Sequence, residues 1–190
     1  MRWVAVVLTS GSLAILPHFA KAADPPLLAA FKQFCVDTKA DRVAVEAAAI
    51  GAGGKPQSSE NQVPGIAASA SWEVALQGHT YKVSTGTQSP EANRDVQTVS
   101  CGVESPVDED DASISAIRAW AGVPASHSFS DVMLIEIYDF QDNGQQHSAL
   151  PSNDAAFHEL EIAGKVWALG LMRSPTSTNV DLLHTVRARP

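Results

Sequence analysis

Two cysteines, Cys35 and Cys101, occur in the 190 residues, and whether they can pair governs much of what the chain can become. Pairing depends on the compartment, because disulfides persist in oxidising surroundings and are rare in the cytosol. The first 22 residues, MRWVAVVLTSGSLAILPHFAKA, have the form of an export leader. Arg2 precedes the apolar runs Trp3 to Leu8 and Leu13 to Leu16, and the segment closes on Ala20-Lys21-Ala22, the small-x-small pattern that signal peptidase reads. A spanning helix needs about 20 predominantly apolar residues, and Thr9 to Ser12 interrupt this one. Cleavage is expected between Ala22 and Ala23, leaving residues 23–190 as a single globular periplasmic or secreted domain without a membrane span. Lipid anchoring is not expected, since Cys35 lies well downstream of the cut. In that compartment Cys35 and Cys101 are expected to form a disulfide, closing a loop worth roughly 4 kcal/mol in the chain-entropy account.

Losing residues 1–22 removes Arg2 and Lys21 and no acid, leaving 11 Lys and Arg against 21 Asp and Glu, a net charge of −10. Such a surface repels phosphate backbones, so no nucleic-acid partner is expected. An apolar content of 45% with 18% charged residues points to a packed core rather than a disordered chain.

The N-terminal part of the mature chain reads as helical. Asp24-Pro25-Pro26 is expected to cap a helix whose stripe is Leu27, Leu28, Phe31, Phe34 and Cys35. A second helix is expected from Asp41 to Ile50, burying Val43, Ala44, Ala47 and Ile50, stopped by Gly51, Gly53 and Gly54. Residues 52–68 are turn-rich and read as a flexible connection. The period then changes. Trp72, Val74 and Leu76, Gln77-Gly78, and Tyr81, Val83 and Thr85 spell a hairpin, and Gln97 to Val103 a third strand facing inwards at Val99, Cys101 and Val103. An acidic turn, Glu104 to Asp111, leads into a helix to Ala121 with Ile114, Ile117 and Ala121 inward, ended by Gly122 and Pro124. Val132 to Tyr138 reads as a central strand followed by the turn Asp142-Asn143-Gly144. Further strands are expected over Phe157 to Ile162, Lys165 to Met172 and Val180 to Val186. The fold class is therefore α+β, an N-terminal helix pair and one further helix packed on a mainly antiparallel sheet.

Motifs for chemistry are sparse. Gly53-Gly54-Lys55-Pro56 fails as a phosphate loop, because Ala49 stands where the first glycine belongs and proline follows the lysine. His158-Glu159 lacks the second histidine of a zinc protease, position 162 being Ile162. On a strand, Glu159 and Glu161 would share a face about 6.6–6.8 Å apart, near the ~6.5–9.5 Å carboxylate spacing of inverting glycosidases, though alternating glutamates more often mark a solvated face. His158, on the other face with Leu160 and Ile162, reads as a hydrogen-bonded buried histidine. Asp108-Glu109-Asp110-Asp111 lacks calcium-loop spacing and reads as the acidic entry to a helix. Trp72, Tyr81, Trp120 and Trp167 read as core.

The segment Phe31-x-x-Phe34-Cys35-Val36-x-Thr38, the alanine-rich helix ending at Gly51, and the strand cysteine Cys101 followed by a helix through Ile114 and Trp120 carry a resemblance. In these features the chain is similar to a group of uncharacterised small exported two-cysteine proteins of alphaproteobacteria. The resemblance implies an exported α+β domain with Cys35 paired to Cys101, and it supplies no catalytic residue. The functional expectation is a non-catalytic binding domain for a protein or small ligand of the cell envelope, with no cofactor and no metal. The competing expectation is an envelope hydrolase built on His158 with Glu159 or Glu161.

Overall fold

The computed structural model describes residues 23–57, 66–88, 96–144 and 146–187. The expected cleavage pair Ala22–Ala23 straddles the start of this range, and residues 1–22, expected as a leader, lie outside the described residues. Nine strands form one sheet, antiparallel at every pairing. β1 (Lys55–Gln57), β2 (Ile66–Leu76), β3 (His79–Gln88) and β4 (Val96–Ser105) lie side by side in chain order. In the other half β6 (Leu134–Asp142) pairs with β5 (His127–Ser130), β7 (His147–Ala149) and β8 (Val166–Arg173). β9 (Thr178–Arg187) inserts between β4 and β8 and joins the halves. The helices are α1 (Pro26–Phe31), continued by a π-helical turn over Lys32–Val36, then α2 (Arg42–Gly51), α3 (Asp111–Ala121) and α4 (Asp154–Ile162). The α+β class and its antiparallel sheet stand, with more strand and one more helix than the sequence indicated.

The first stripe is buried as its spacing requires: Leu27, Leu28, Phe31, Phe34 and Cys35 are all inaccessible or nearly so. Asp24 does not cap this helix. Pro25 holds the cap position with no side-chain bond, and Asp24 instead pairs with Lys32 at 2.7 Å. The π turn ends where the Thr38 hydroxyl donates to the Phe34 carbonyl at 2.6 Å. Cys35 is thereby presented to the middle of β4, where it is bonded to Cys101 with the Cα atoms 5.3 Å apart, inside the usual range for such a bridge.

α2 is capped by Asp41, whose carboxylate accepts from the Ala44 amide. Its inward face is Val45 and Ala49, whereas Val43 and Ile50 are exposed. The expected stripe was displaced because this helix is apolar nearly all round, so periodicity does not fix its rotation. Close approach to the sheet does. A Cβ on Gly54 would lie 2.6 Å from the Ala49 carbonyl oxygen and 3.1 Å from Val74 Cγ2, so the chain can turn from α2 into β1 only with glycine there. Residues 55–57, expected as part of a flexible connection, are an edge strand, a place where Pro56 is tolerated. Residues 58–65 of that stretch lie outside the described residues.

The hairpin forms as read, with positive φ at both Gln77 and Gly78, the type I′ requirement. Tyr81 on β3 is 1% exposed, and its hydroxyl has no hydrogen-bond partner among the described residues. Burial, with the nearby Glu109 charge, pushes its pKa up to about 12.

α3 follows the acidic turn. Asp110 caps it by accepting from the Ser113 amide at 2.7 Å, and Gly122 ends it in the left-handed conformation. Asp108 and Asp111 both bind Arg173 of β8, so the acidic run caps α3 and also ties its start to the end of β8. β6 starts at Leu134, later than expected, with Val132 and Met133 exposed. Its centre is also not wholly apolar. Glu136 points inward and takes two bonds from Arg118 of α3, at 2.9 and 2.8 Å, and a third from the Tyr138 hydroxyl at 2.6 Å. The Arg118 bonds outweigh burial and hold Glu136 below the usual carboxylate range, while burial lifts Tyr138 to about 12. Phe31, Trp120, Phe140 and His147 close the core beside this network with edge and stacked contacts of 4.2 to 6.1 Å between ring centroids.

Two outcomes check this account. Replacing Cys35 and Cys101 by alanine together should lower the unfolding free energy by about 4 kcal/mol in urea titrations; a loss below 1 kcal/mol would show that the bridge adds little. Tyr81→Phe should leave stability unchanged or slightly raised, because it removes a buried hydroxyl that bonds nothing among the described residues.

Candidate functional site

The segment expected as a strand over Phe157 to Ile162 is helical, and the chemistry there changes with it. Asn153 starts α4 by accepting from the Ala155 and Ala156 amides at 2.9 and 3.3 Å, and Asp154 sits in the first turn, where a helix favours negative charge. Two residues apart on a helix means nearly opposite faces. Glu159 is accordingly exposed and Glu161 buried, and the glycosidase-like pairing of these carboxylates is overturned. His158 is exposed, contrary to the buried position expected, and meets Glu161 at 3.5 Å across one turn.

As a helix, the same residues acquire a different grouping. Ala156, Glu159, Leu160 and Ala163 recur at three- and four-residue spacing and form one stripe. That stripe forms one wall of a groove of about 490 Å³, completed by Gln141 of β6, Pro151 after β7, and Lys165 before β8. The groove is open to solvent: Ala149, Glu159, Ala163 and Lys165 are exposed, the rest of its lining is half-buried, and a few polar groups stand on a mostly apolar lining. Glu159 and Lys165 have no ion-pair partner among the described residues. Gln141 donates one amide hydrogen to Asn143 Oδ1 and keeps a second. His158 and Glu161 do not line the groove.

Two further titratable groups lie on β9. Trp167 and His184 are paired across β8 and β9 and stack with centroids 3.6 Å apart and planes within 6°. The His184 Nε2 is 2.9 Å from the Gly164 carbonyl oxygen and its Nδ1 3.4 Å from that of Lys39. Burial depresses its pKa against the pull of both carbonyls. On the opposite face of β9, Asp181 lies between Gly102 of β4 and Gly170 of β8. A Cβ on Gly102 would fall 2.1 Å from Asp181 Oδ1, so the carboxyl occupies the space that glycine leaves. Asn179 donates to the other oxygen. Burial pushes the Asp181 pKa up to about 6, with the Glu104 charge adding to it and the Asn179 bond opposing it.

Neither Lys165, Gln141 nor Asp181 stood out in the sequence. For Asp181 a signal existed, since isolated glycines inside strand runs mark close approach of another group. For Lys165 and Gln141 the signal was the α4 stripe, visible only once Asn153 is recognised as a helix cap. Among the described residues no group of three or more His, Cys, Asp or Glu is placed to hold a metal ion, and no helix is long and apolar enough to cross a membrane. No protein-family model, curated protein or solved structure matches the chain.

A raised folded-state pKa at Asp181 means that the folded protein binds this proton more tightly than the unfolded chain. Its contribution to stability is therefore full below about pH 4 and is lost as pH rises through about 6. Asp181→Asn should raise the melting temperature by a few degrees at pH 8 and leave it unchanged near pH 3.5; equal effects at both would refute the titration.

Proposed function

We propose that the chain is an exported, disulfide-stapled domain, periplasmic or secreted, that binds a small ligand or a segment of an envelope protein in the α4 groove without catalysing a reaction on it. The single observation that carries this reading is the lining of that groove: an acid, a base and an amide, none neutralising another, set on an apolar floor. Such a lining supplies orientation and charge recognition. Hydrolysis by His158 with Glu159 or Glu161 would need the imidazole beside the bound molecule, and His158 is outside the lining.

Export is supported by the leader pattern of residues 1–22 and by the Cys35–Cys101 bridge, which suits an oxidising compartment. An acidic surface argues for a protein or small-molecule partner over nucleic acid.

Each half has a direct test. Protein recovered from the periplasm or medium of a bacterial host should begin at Ala23 by N-terminal sequencing, and retention of residues 1–22 in the cytosol would overturn export. Amide spectra of the oxidised protein, titrated with a mixture of small acids, amines and zwitterions, should shift at Gln141, Leu160 and Lys165. Shifts confined to other regions would overturn the groove as the binding site.

A further inference from the structure

We infer that the α4 groove takes a small zwitterion, a molecule with a free ammonium and a free carboxylate on an apolar body. The inference rests on the groove being the binding site, and it names the class of ligand. Gln141 lies in register with Val166, and the Asp142 amide donates to the Lys165 carbonyl at 3.2 Å, so Gln141 and Lys165 are neighbours on one side of the groove. Together they offer an ammonium and a spare amide hydrogen, the donors a carboxylate needs. Glu159 stands on the α4 side and offers the acceptor an ammonium needs. Leu160, Ala156 and Pro151 supply the apolar lining between them.

The two charges do not answer each other. No ion pair joins Glu159 to Lys165, and neither has another partner among the described residues. A ligand with a single charge engages one of them and gains nothing from the other, which stays in water. A zwitterion satisfies both, and recognition by complementary charge discriminates against each singly charged analogue. Free amino acids and short peptides with free termini share this chemistry. Residues 156, 159, 160 and 163 make one straight helical wall, which a short peptide could follow over more of its length than a single amino acid.

The test uses the oxidised full chain and four probes followed by amide shifts: leucine, the dipeptide leucyl-leucine, N-acetyl-leucine without the ammonium, and leucinamide without the carboxylate. Leucine or the dipeptide should saturate shifts at Gln141, Ala156, Leu160 and Lys165 at millimolar concentration, and the tighter of the two identifies the source. The two singly charged analogues should bind at least tenfold more weakly. Glu159→Gln should reduce zwitterion affinity about tenfold while leaving N-acetyl-leucine unchanged, and Lys165→Met should do the same while leaving leucinamide unchanged, with melting curves confirming that both variants fold. Equal binding of all four probes, or insensitivity to both substitutions, would overturn the zwitterion and leave the groove as a site for apolar molecules. Absence of any shift in the groove with all four would overturn the site as well.

Discussion

The sulfur bridge between Cys35 and Cys101 ties the first helical segment to the middle of the sheet, and the covered side of the sheet is organised around that point. Phe34 and Cys35 reach it only because the helix widens into a π turn and then stops at Thr38, whose hydroxyl takes up the Phe34 carbonyl. Once the bridge is set, α2 has little freedom. It must cross back over β3 and β4 and turn into β1 at Gly54, where only a residue without Cβ clears the Ala49 carbonyl. The turn that leads from the π segment into α2 holds Lys39 and Ala40 at positive φ, and the Lys39 carbonyl faces His184 on β9. A covalent constraint in one helix therefore sets the backbone that the last strand packs against.

The other half of the sheet is held by a different kind of force. Arg118 and Tyr138 surround Glu136 with three bonds, so a charge that would be costly in an apolar interior is matched on the spot. The network links α3 to β6. It fixes which face of α3 turns inward, and with it the placement of Trp120 against Phe31 and Phe140. Arg118 is partly open to solvent at its outer side, so the pair is less costly to desolvate than one wholly enclosed.

Strong local signals in the sequence survived into three dimensions, and signals that depend on distant partners did not. The alternation of Trp72, Val74, Tyr81 and Val83 about Gln77-Gly78 could form nothing but that hairpin, and Asp110 to Gly122 carried both ends of α3. By contrast, the alternation of Glu159 and Glu161 imitated a strand, while the helix was written in Pro151, Asn153 and the good helix formers after them. The rotation of α2 was illegible because Val43, Val45, Ala47, Ala49 and Ile50 offer several equivalent faces; Gly54 and the sheet choose among them. Glu136 was hidden inside VMLIEIY, since its partner Arg118 lies on another element. The candidate site suffered most from this. Glu159 was noticed for the wrong reason, and Lys165 and Gln141 became neighbours only through the pairing of β6 with β8.

β9 is written last among the described strands and placed near the centre of the sheet. Until residues 178–187 arrive, β4 and β8 each present an open row of backbone donors and acceptors, and the two halves of the sheet share no strand contact along the β4–β9–β8 path. Closure of the sheet thus waits on the C-terminal part of the chain. A chain cut short before residue 178 would keep both halves but leave β4 and β8 as two unpaired edges, the arrangement most prone to pairing with another copy.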